Sequence, residues 1–281
     1  MIDILKNRIK QGYRTSRFPG EDPGLPERFR GRPALRPELC AAGCAACIDA
    51  CPTGAIERRQ PGDKKGLLAL DLGRCLFCAE CTAACPEGAV AFTKDHRLAA
   101  GRREDLLVTS DEARLAESLG EEMRRLFGRS LKLRQVSAGG CSACEAELTA
   151  LGNVVFDLGR FGIQFVASPR HADGLVVTGP VTRNMSAALR IAYEAVPPPR
   201  IVIAVGACGI SGGPFIGSED HLGGAASVVP VDLFIPGCPP HPVTILDGML
   251  RPLGKLKESR VQKASNERGE GTENGRDAVA R

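Results

Sequence analysis

The stretch Gly139-Gly140-Cys141-Ser142-Ala143-Cys144-Glu145 places two thiols on one tight loop, between an apolar run and a helical stretch. Two more cysteines, Cys208 and Cys238, stand far along the chain, each centred in a glycine- and proline-rich segment. Those segments are Gly206-Ala207-Cys208-Gly209, with Gly212-Gly213-Pro214 close behind, and Pro236-Gly237-Cys238-Pro239-Pro240. Four soft ligands gathered from three loops make the ligand set of an iron–sulfur cluster. Bare backbone in such loops can approach a cluster closely and donate N–H groups to its sulfurs, one lever on its reduction potential.

The surrounding sequence says how those loops meet. Apolar runs at 131–136, 163–167, 175–178, 201–205 and 231–235 read as strands, and 144–151, 183–195 and 243–253 read as helices between them. Continuous apolar strands alternating with helices predict an α/β fold with a mostly parallel sheet covered on both faces. Sites in such sheets form at the carboxyl ends of the strands. Cys141 and Cys144 follow the first strand, and Cys208 and Cys238 each come three residues after a strand, so all four should converge on one sheet edge.

Upstream lie two cysteine runs, Cys40-x3-Cys44-x2-Cys47-x3-Cys51-Pro52 and Cys75-x2-Cys78-x2-Cys81-x3-Cys85-Pro86. The second has the spacing of bacterial two-cluster ferredoxins, in which three thiolates converge on one cubane from a compact loop and the fourth serves the other cluster. Short strand-like pieces follow each run, at 54–56 and 88–92, so the repeat describes a pseudo-twofold (α+β) module. On that pattern the first cubane takes Cys40, Cys44, Cys47 and Cys85, and the second takes Cys75, Cys78, Cys81 and Cys51. The extra residue between Cys40 and Cys44 departs from the pattern and leaves Cys40 open as a ligand. Zinc knuckles use C-x2-C pairs, but two runs of four cysteines fit tetrahedral zinc poorly. With the Cys141, Cys144, Cys208 and Cys238 set, the chain should hold three [4Fe-4S] clusters. Twelve cysteines so spaced, in a chain expected to be cytosolic, also argue against a disulfide scaffold.

The remaining segments carry less chemistry. Residues 1–39 form a proline-rich basic arm, with nine Lys or Arg against four Asp or Glu up to residue 36. It is read as lying on an acidic partner surface or in solvent, with one short helix around Ile2, Ile4, Leu5 and Ile9. The cluster module spans 40–95, a connector helix falls within 96–130, the sheet domain spans 131–253, and 254–281 is a polar tail read as disordered. The connector should start on a capping box, Thr109-Ser110-Asp111-Glu112, with Leu115, Leu119, Met123 and Leu126 at helical spacing. A net charge of +4 is too slight to argue for nucleic acid. No apolar run is long enough to span a bilayer, and the N-terminus has no signal-peptide pattern. The expected location is therefore cytoplasmic, peripheral to the membrane through partners. No nucleotide-binding fingerprint, P-loop or Ser-His-Asp arrangement is present.

The sheet domain resembles the small-subunit family shared by [NiFe] hydrogenases and the 20 kDa subunit of respiratory complex I. The resemblance rests on 141–145, on Val176-Val177-Thr178-Gly179-Pro180-Val181-Thr182, on 206–213 and on Pro236-Gly237-Cys238-Pro239-Pro240-His241-Pro242. It implies a flavodoxin-like sheet. The first half is similar to the two-cluster ferredoxin subunit of formate hydrogenlyase and related group-4 hydrogenases, through Arg28-Phe29-Arg30-Gly31-Arg32-Pro33 and Leu72-Gly73-Arg74-Cys75. The chain thus looks like a fusion of two subunits that are usually separate. The resemblance implies a nickel–iron site in a partner large subunit, further electron-transfer and membrane subunits, and an electron-carrying role for this chain. Complex I relatives carry adjacent cysteines in the first loop; the two residues between Cys141 and Cys144 favour the hydrogenase branch. The alternative is a complex I-like module that passes electrons to quinone.

Two single residues are weighed. Ser142-x-x-Glu145 has the form of a capping box, so Glu145 is read first as a helix cap and second as a proton relay beside the cluster. His241 is read first as a packed loop histidine and second as a hydrogen-bond donor to a cluster sulfur. No residue is assigned as catalytic.

Overall fold

The computed structural model of the chain describes residues 2–41, 43–59, 67–109, 115–117 and 121–256. The first half is built from short elements: α1 (Ile2–Gln11), β1 (Pro33–Leu35), α2 (Ala46–Asp49), β2 (Ile56–Arg59), β3 (Leu67–Asp71), α3 (Glu80–Ala83), β4 (Val90–Phe92) and β5 (Leu107–Val108). β1 pairs antiparallel with β4, and β2, β3 and β5 form a second antiparallel sheet. The helices α2 and α3 each begin inside a cysteine run and occupy corresponding places in the repeat.

The second half carries α4 (Glu121–Phe127), β6 (Leu131–Ser137), α5 (Ala143–Ala150), β7 (Ile163–Phe165), β8 (Gly174–Thr178), α6 (Arg183–Ala195), β9 (Ile201–Val205), α7 (Gly206–Ser211), β10 (Leu233–Ile235) and α8 (Pro242–Leu250). Its five strands run parallel in the order β10-β9-β8-β6-β7. This is the doubly wound order of flavodoxin-like folds, with its switch point between β6 and β8. Every residue of β8 and β9 is buried, as strands covered on both faces require.

Three expectations need amendment. Pro33–Leu35 at the end of the basic arm is a strand, paired through Pro33↔Phe92 and Leu35↔Val90 onto the cluster module. Among the described residues of the connector, the helix covers Glu121–Phe127 and Leu115 is not helical; most of its expected capping box lies outside the described residues. The Cys208 segment, read as a loop, is the helix α7. The tail from residue 257 lies outside the described residues.

The two halves share packing. Leu70, Leu72 and Phe77 of the first half belong to the same buried set as Val136, Leu175, Ile210 and Phe234 of the second. Ala100 bridges antiparallel to Phe234, donating to its carbonyl at 3.0 Å and accepting from its amide at 2.9 Å, so it satisfies backbone on the sheet's edge strand. Ser211 Oγ donates to the Gly73 carbonyl at 2.9 Å, tying α7 to the turn before Cys75. Arg103 makes a two-pronged contact with Asp71, at 2.8 and 2.6 Å, behind that turn.

Candidate metal centres

The topology brings the four sheet-domain cysteines to one edge. Cys141 and Cys144 follow β6, Cys208 lies in α7 just after β9, and Cys238 lies just past β10. All four cysteines therefore lie on three segments that leave the carboxyl ends of strands, near the switch point. Cys144 is raised to about 12, by burial first, then by the neighbouring Glu145 carboxylate and by Cys208, Cys238 and Cys141. Burial likewise raises Cys208 to about 11, with Cys238 and Cys141 adding to the effect. Each thiol lies within the field of the others.

Close approach decides the residue at 206. A Cβ there would stand 2.5 Å from Cys144 Sγ, and φ is +85°, so only glycine lets the β9 end pass the Cys144 thiol. Strain gathers in the cysteine loops in the same way. Among the described residues five non-glycine residues have positive φ, and three of them, Phe77, Ala79 and Ser142, lie between cysteines of the candidate sites. Each such residue costs on the order of 1–3 kcal/mol and persists where surrounding structure over-determines it.

The first half holds two further thiol sets. Cys75, Cys81, Cys51 and Cys78 share one field, and burial raises Cys75 to about 12 despite the Phe77 N–H that Cys75 Sγ accepts at 3.3 Å. These four thiols line a small cavity with an apolar wall that includes Ile56, Leu70 and Phe92. Cys47 shares a field with Cys85 and Cys40, its thiol raised chiefly by burial. The fourth cysteines act as twins: Ala55 N–H donates to Cys51 Sγ and Ala89 N–H to Cys85 Sγ, both at 3.2 Å. Arg58 reaches across to Cys40 Sγ at 3.7 Å and to the Cys44 carbonyl, so the longer loop is fastened to β2.

The chemistry of these sets can be tested on the residues themselves. All twelve thiols are free. Buried thiols that keep their protons well past neutral pH make poor nucleophiles and poor redox disulfides; they need a metal to ionise them. Among the described residues, no three His, Cys, Asp or Glu close on a point that one ion could fill. A cubane suits wider sets, because each thiolate binds a different iron. The donors, N–H to sulfur bonds and cavity fit iron–sulfur clusters.

The reading of Glu145 changes, and that of His241 as a packed histidine gains a capping role. Ser142 sits at the start of α5 with φ +67° and makes no side-chain cap, so the capping box does not form. Glu145 Oε1 instead accepts from Ser137 Oγ at 2.6 Å and Thr178 Oγ1 at 2.7 Å. The carboxylate locks the ends of β6 and β8 to α5 at the switch point. Burial pushes this carboxyl up, and the two hydroxyls with its own backbone N–H more than reverse that, holding it below 4.5. His241 is the residue that caps: its Nδ1 accepts from the Val243 N–H at 3.2 Å, and Phe29 packs edge-on against it with ring centres 5.5 Å apart. Sequence reasoning missed Ser137, Thr178 and Arg58. Their partners stand eight to 33 residues away, at separations that no helix or strand period links.

Comparison with known proteins follows this geometry. Residues 141–251 match the family of the NADH ubiquinone oxidoreductase 20 kDa subunit, and residues 39–89 match the 4Fe-4S dicluster domain. A probable membrane-bound hydrogenase subunit J of Pyrococcus furiosus is 38% identical over 167 residues, 59% of this chain and 100% of that protein. Formate hydrogenlyase subunit 7 of Escherichia coli is 43% identical over 151 residues, and the match covers 54% of this chain and 58% of that subunit. An uncharacterised protein of Methanocaldococcus jannaschii is 42% identical over 146 residues, 51% of this chain and 97% of that one. One solved structure, of a membrane-bound sulfane sulfur reductase from an archaeal respiratory complex, aligns with a TM-score of 0.42 and 31% identity, over 47% of this chain and 73% of that one. The chain belongs to the oxidoreductase subunit family that includes the 20 kDa complex I subunit and the membrane-bound hydrogenase J subunit, and it carries a 4Fe-4S dicluster unit ahead of that domain. It is thus an iron–sulfur subunit of an oxidoreductase complex. Among the described residues, no helix is long and apolar enough to cross a membrane.

Proposed function

We propose that this chain is the electron-transfer subunit of a cytoplasm-facing, membrane-associated [NiFe] hydrogenase of the formate hydrogenlyase type. It would carry electrons between a nickel–iron site in a partner large subunit and further electron-transfer and membrane subunits. Three [4Fe-4S] clusters are assigned: one to Cys141, Cys144, Cys208 and Cys238; one to Cys75, Cys78, Cys81 and Cys51; one to Cys40, Cys44, Cys47 and Cys85. When bound, these groups supply one-electron carriage. The protein's part is to hold the thiols, exclude water and set the order of the sites.

The observation that carries this reading is continuity. Cys238 lies in the field of Cys78 as well as Cys141, so the second-half set and the Cys75 set adjoin. Cys47 in turn lies in the field of Cys81, which links the Cys75 set to the Cys40 set. Three adjoining thiol sets in one chain suit conduction, whereas a structural metal site needs no such neighbour. The full-length match to a hydrogenase subunit supports hydrogen rather than quinone as the partner chemistry.

The test is to purify the native complex anaerobically and measure nickel, iron and hydrogen-dependent dye reduction together. Nickel with hydrogen activity is the expected result. A nickel-free complex that reduces quinone would replace this reading with the complex I-like one.

A further inference from the structure

The segment 28–32, read from sequence as part of a free arm, lies between the two cluster-bearing halves. Gly31 N–H donates to the Thr93 carbonyl at 2.7 Å and Arg32 N–H to the Asp95 carbonyl at 2.8 Å, which prolongs the β1–β4 ladder. A Cβ on Gly31 would stand 2.2 Å from the Asp95 carbonyl oxygen, so the backbone is pressed against that strand. Lys94 Nζ donates to the Pro26 carbonyl at 2.9 Å and the Phe29 carbonyl at 3.2 Å. The segment is anchored before Arg30 does anything.

From that anchor Arg30 Nη1 donates to the Phe77 carbonyl at 2.8 Å. Phe77 sits between Cys75 and Cys78 with φ +54°, a conformation that needs outside support. Next to it, Phe29 packs against His241, three residues past Cys238. Arg30, Phe77 and Cys238 line one cleft of about 280 Å³ between the halves. One short segment therefore touches both the Cys75–Cys78 loop and the loop after Cys238, which border the same cleft.

We propose that residues 28–32 clamp the electron path, with Arg30 as the positioning residue that holds the Cys78 loop against the Cys238 loop. This rests on the electron-transfer reading above. One electron leaves the group held by one thiol set as the group held by the other accepts it, and no bond or proton moves. Arg30 acts in two ways. Its guanidinium, through the single Nη1 bond, fixes the carbonyl at Phe77 and hence the distance between the two sets. Its positive charge, largely solvent-screened, favours the reduced state of the group on the Cys75 set by a factor of about three.

The test uses the full chain in its purified complex, with Arg30→Gln and Arg30→Lys. Iron and sulfide content of the wild type come first; absence of the clusters there would sink the electron-transfer reading itself, separately from the clamp. Redox titration with dithionite, followed by EPR, then reads the potential of each cluster and the magnetic coupling between reduced neighbours. Arg30→Gln should make the Cys75-set cluster about threefold harder to reduce, about 28 mV at 59 mV per tenfold for one electron. It should also weaken that cluster's coupling to the sheet-domain cluster, with the Cys40-set signal unmoved. Arg30→Lys keeps the charge without the guanidinium, so it should restore most of the potential but not the coupling. Wild-type potential and coupling in Arg30→Gln would overturn the clamp. If Arg30→Gln loses the cluster, Arg30→Lys decides: weakened coupling supports the clamp and unchanged coupling overturns it.

Discussion

At the scale of single residues, the buried charges behind the sites matter as much as the thiols. Asp247 is 2% exposed and pairs with Arg251 through two bonds of 2.6 and 2.9 Å on α8. Asp247→Asn leaves Arg251 partly buried without its counter-charge and should cost about 3 kcal/mol, read as a fall in the denaturation midpoint. His96 lies beside the same carboxylate, 4.0 Å away, with Nε2 lacking a hydrogen bond. Burial holds His96 below its ordinary 6.5, although Asp247 and Asp95 pull the other way. The unfolded chain therefore takes up this proton first as pH falls. The stability His96 contributes is present above 6.5 and is lost below it, at up to about 1.4 kcal/mol per pH unit. Asp247, raised by burial against the pull of Arg251, has the opposite sign and acts from the carboxylate range upward. Comparing wild type with His96→Gln isolates the histidine: the wild type should lose stability relative to the variant between pH 7 and about pH 5. Parallel pH profiles would contradict this.

At the scale of elements, the turn from β9 into α7 shows how a strand end is fitted to a thiol. Sequence reads the Cys208 segment as a loop, because Gly206-Ala207-Cys208-Gly209 has poor helix propensity. Tertiary packing overrides that preference: Gly206, Ala207, Gly209 and Ile210 are all buried in the short helix. Gly206→Ala puts a methyl group where Cys144 Sγ stands and asks for φ +85° from a residue that resists it. It should remove the sheet-domain cluster, seen as about four irons fewer per chain and loss of one EPR signal, with both first-half signals kept. Full iron content in this variant would mean that Cys144 is not a ligand.

At the scale of the whole molecule, the two halves behave as one body. The core runs through both, Ala100 pairs with the sheet edge, and Ser211 and Gly73 tie α7 to the Cys75 turn. A conducting chain benefits from this rigidity, since the separation of its sites is then fixed by packing rather than by a linker. Three thiol sets predict about twelve irons per chain after anaerobic reconstitution. Fewer than about eight would contradict three cubanes. Cys40→Ser should alter the EPR signal of one first-half cluster and leave the sheet-domain cluster intact, because Arg58 brings the Cys40 loop onto β2 beside Cys47 and Cys85. An unchanged spectrum would remove Cys40 from the ligand set.

The sequence by itself determined the local chemistry and the sheet. Cysteine spacing is a short-range pattern, and apolar runs alternating with helical stretches report a parallel sheet directly, so β6, β8, β9 and the placing of all four thiols at strand ends were legible. The tertiary structure decided what depends on partners distant in sequence. Glu145 looked like a cap because Ser142 stands three residues before it; the structure gives its carboxylate to Ser137 and Thr178, which only strand pairing brings near. The end of the arm reads in sequence as lying on a partner or in solvent, because prolines and basic charge carry no apolar pattern; it is a strand and a strap because Val90–Phe92 offers an edge to pair with. The order of the three sites likewise depends on the Phe77 turn and Cys238 lining one cleft across more than half the chain, a placement that no periodicity encodes. Short-range patterns fix which atoms are available; only the fold fixes which of them meet.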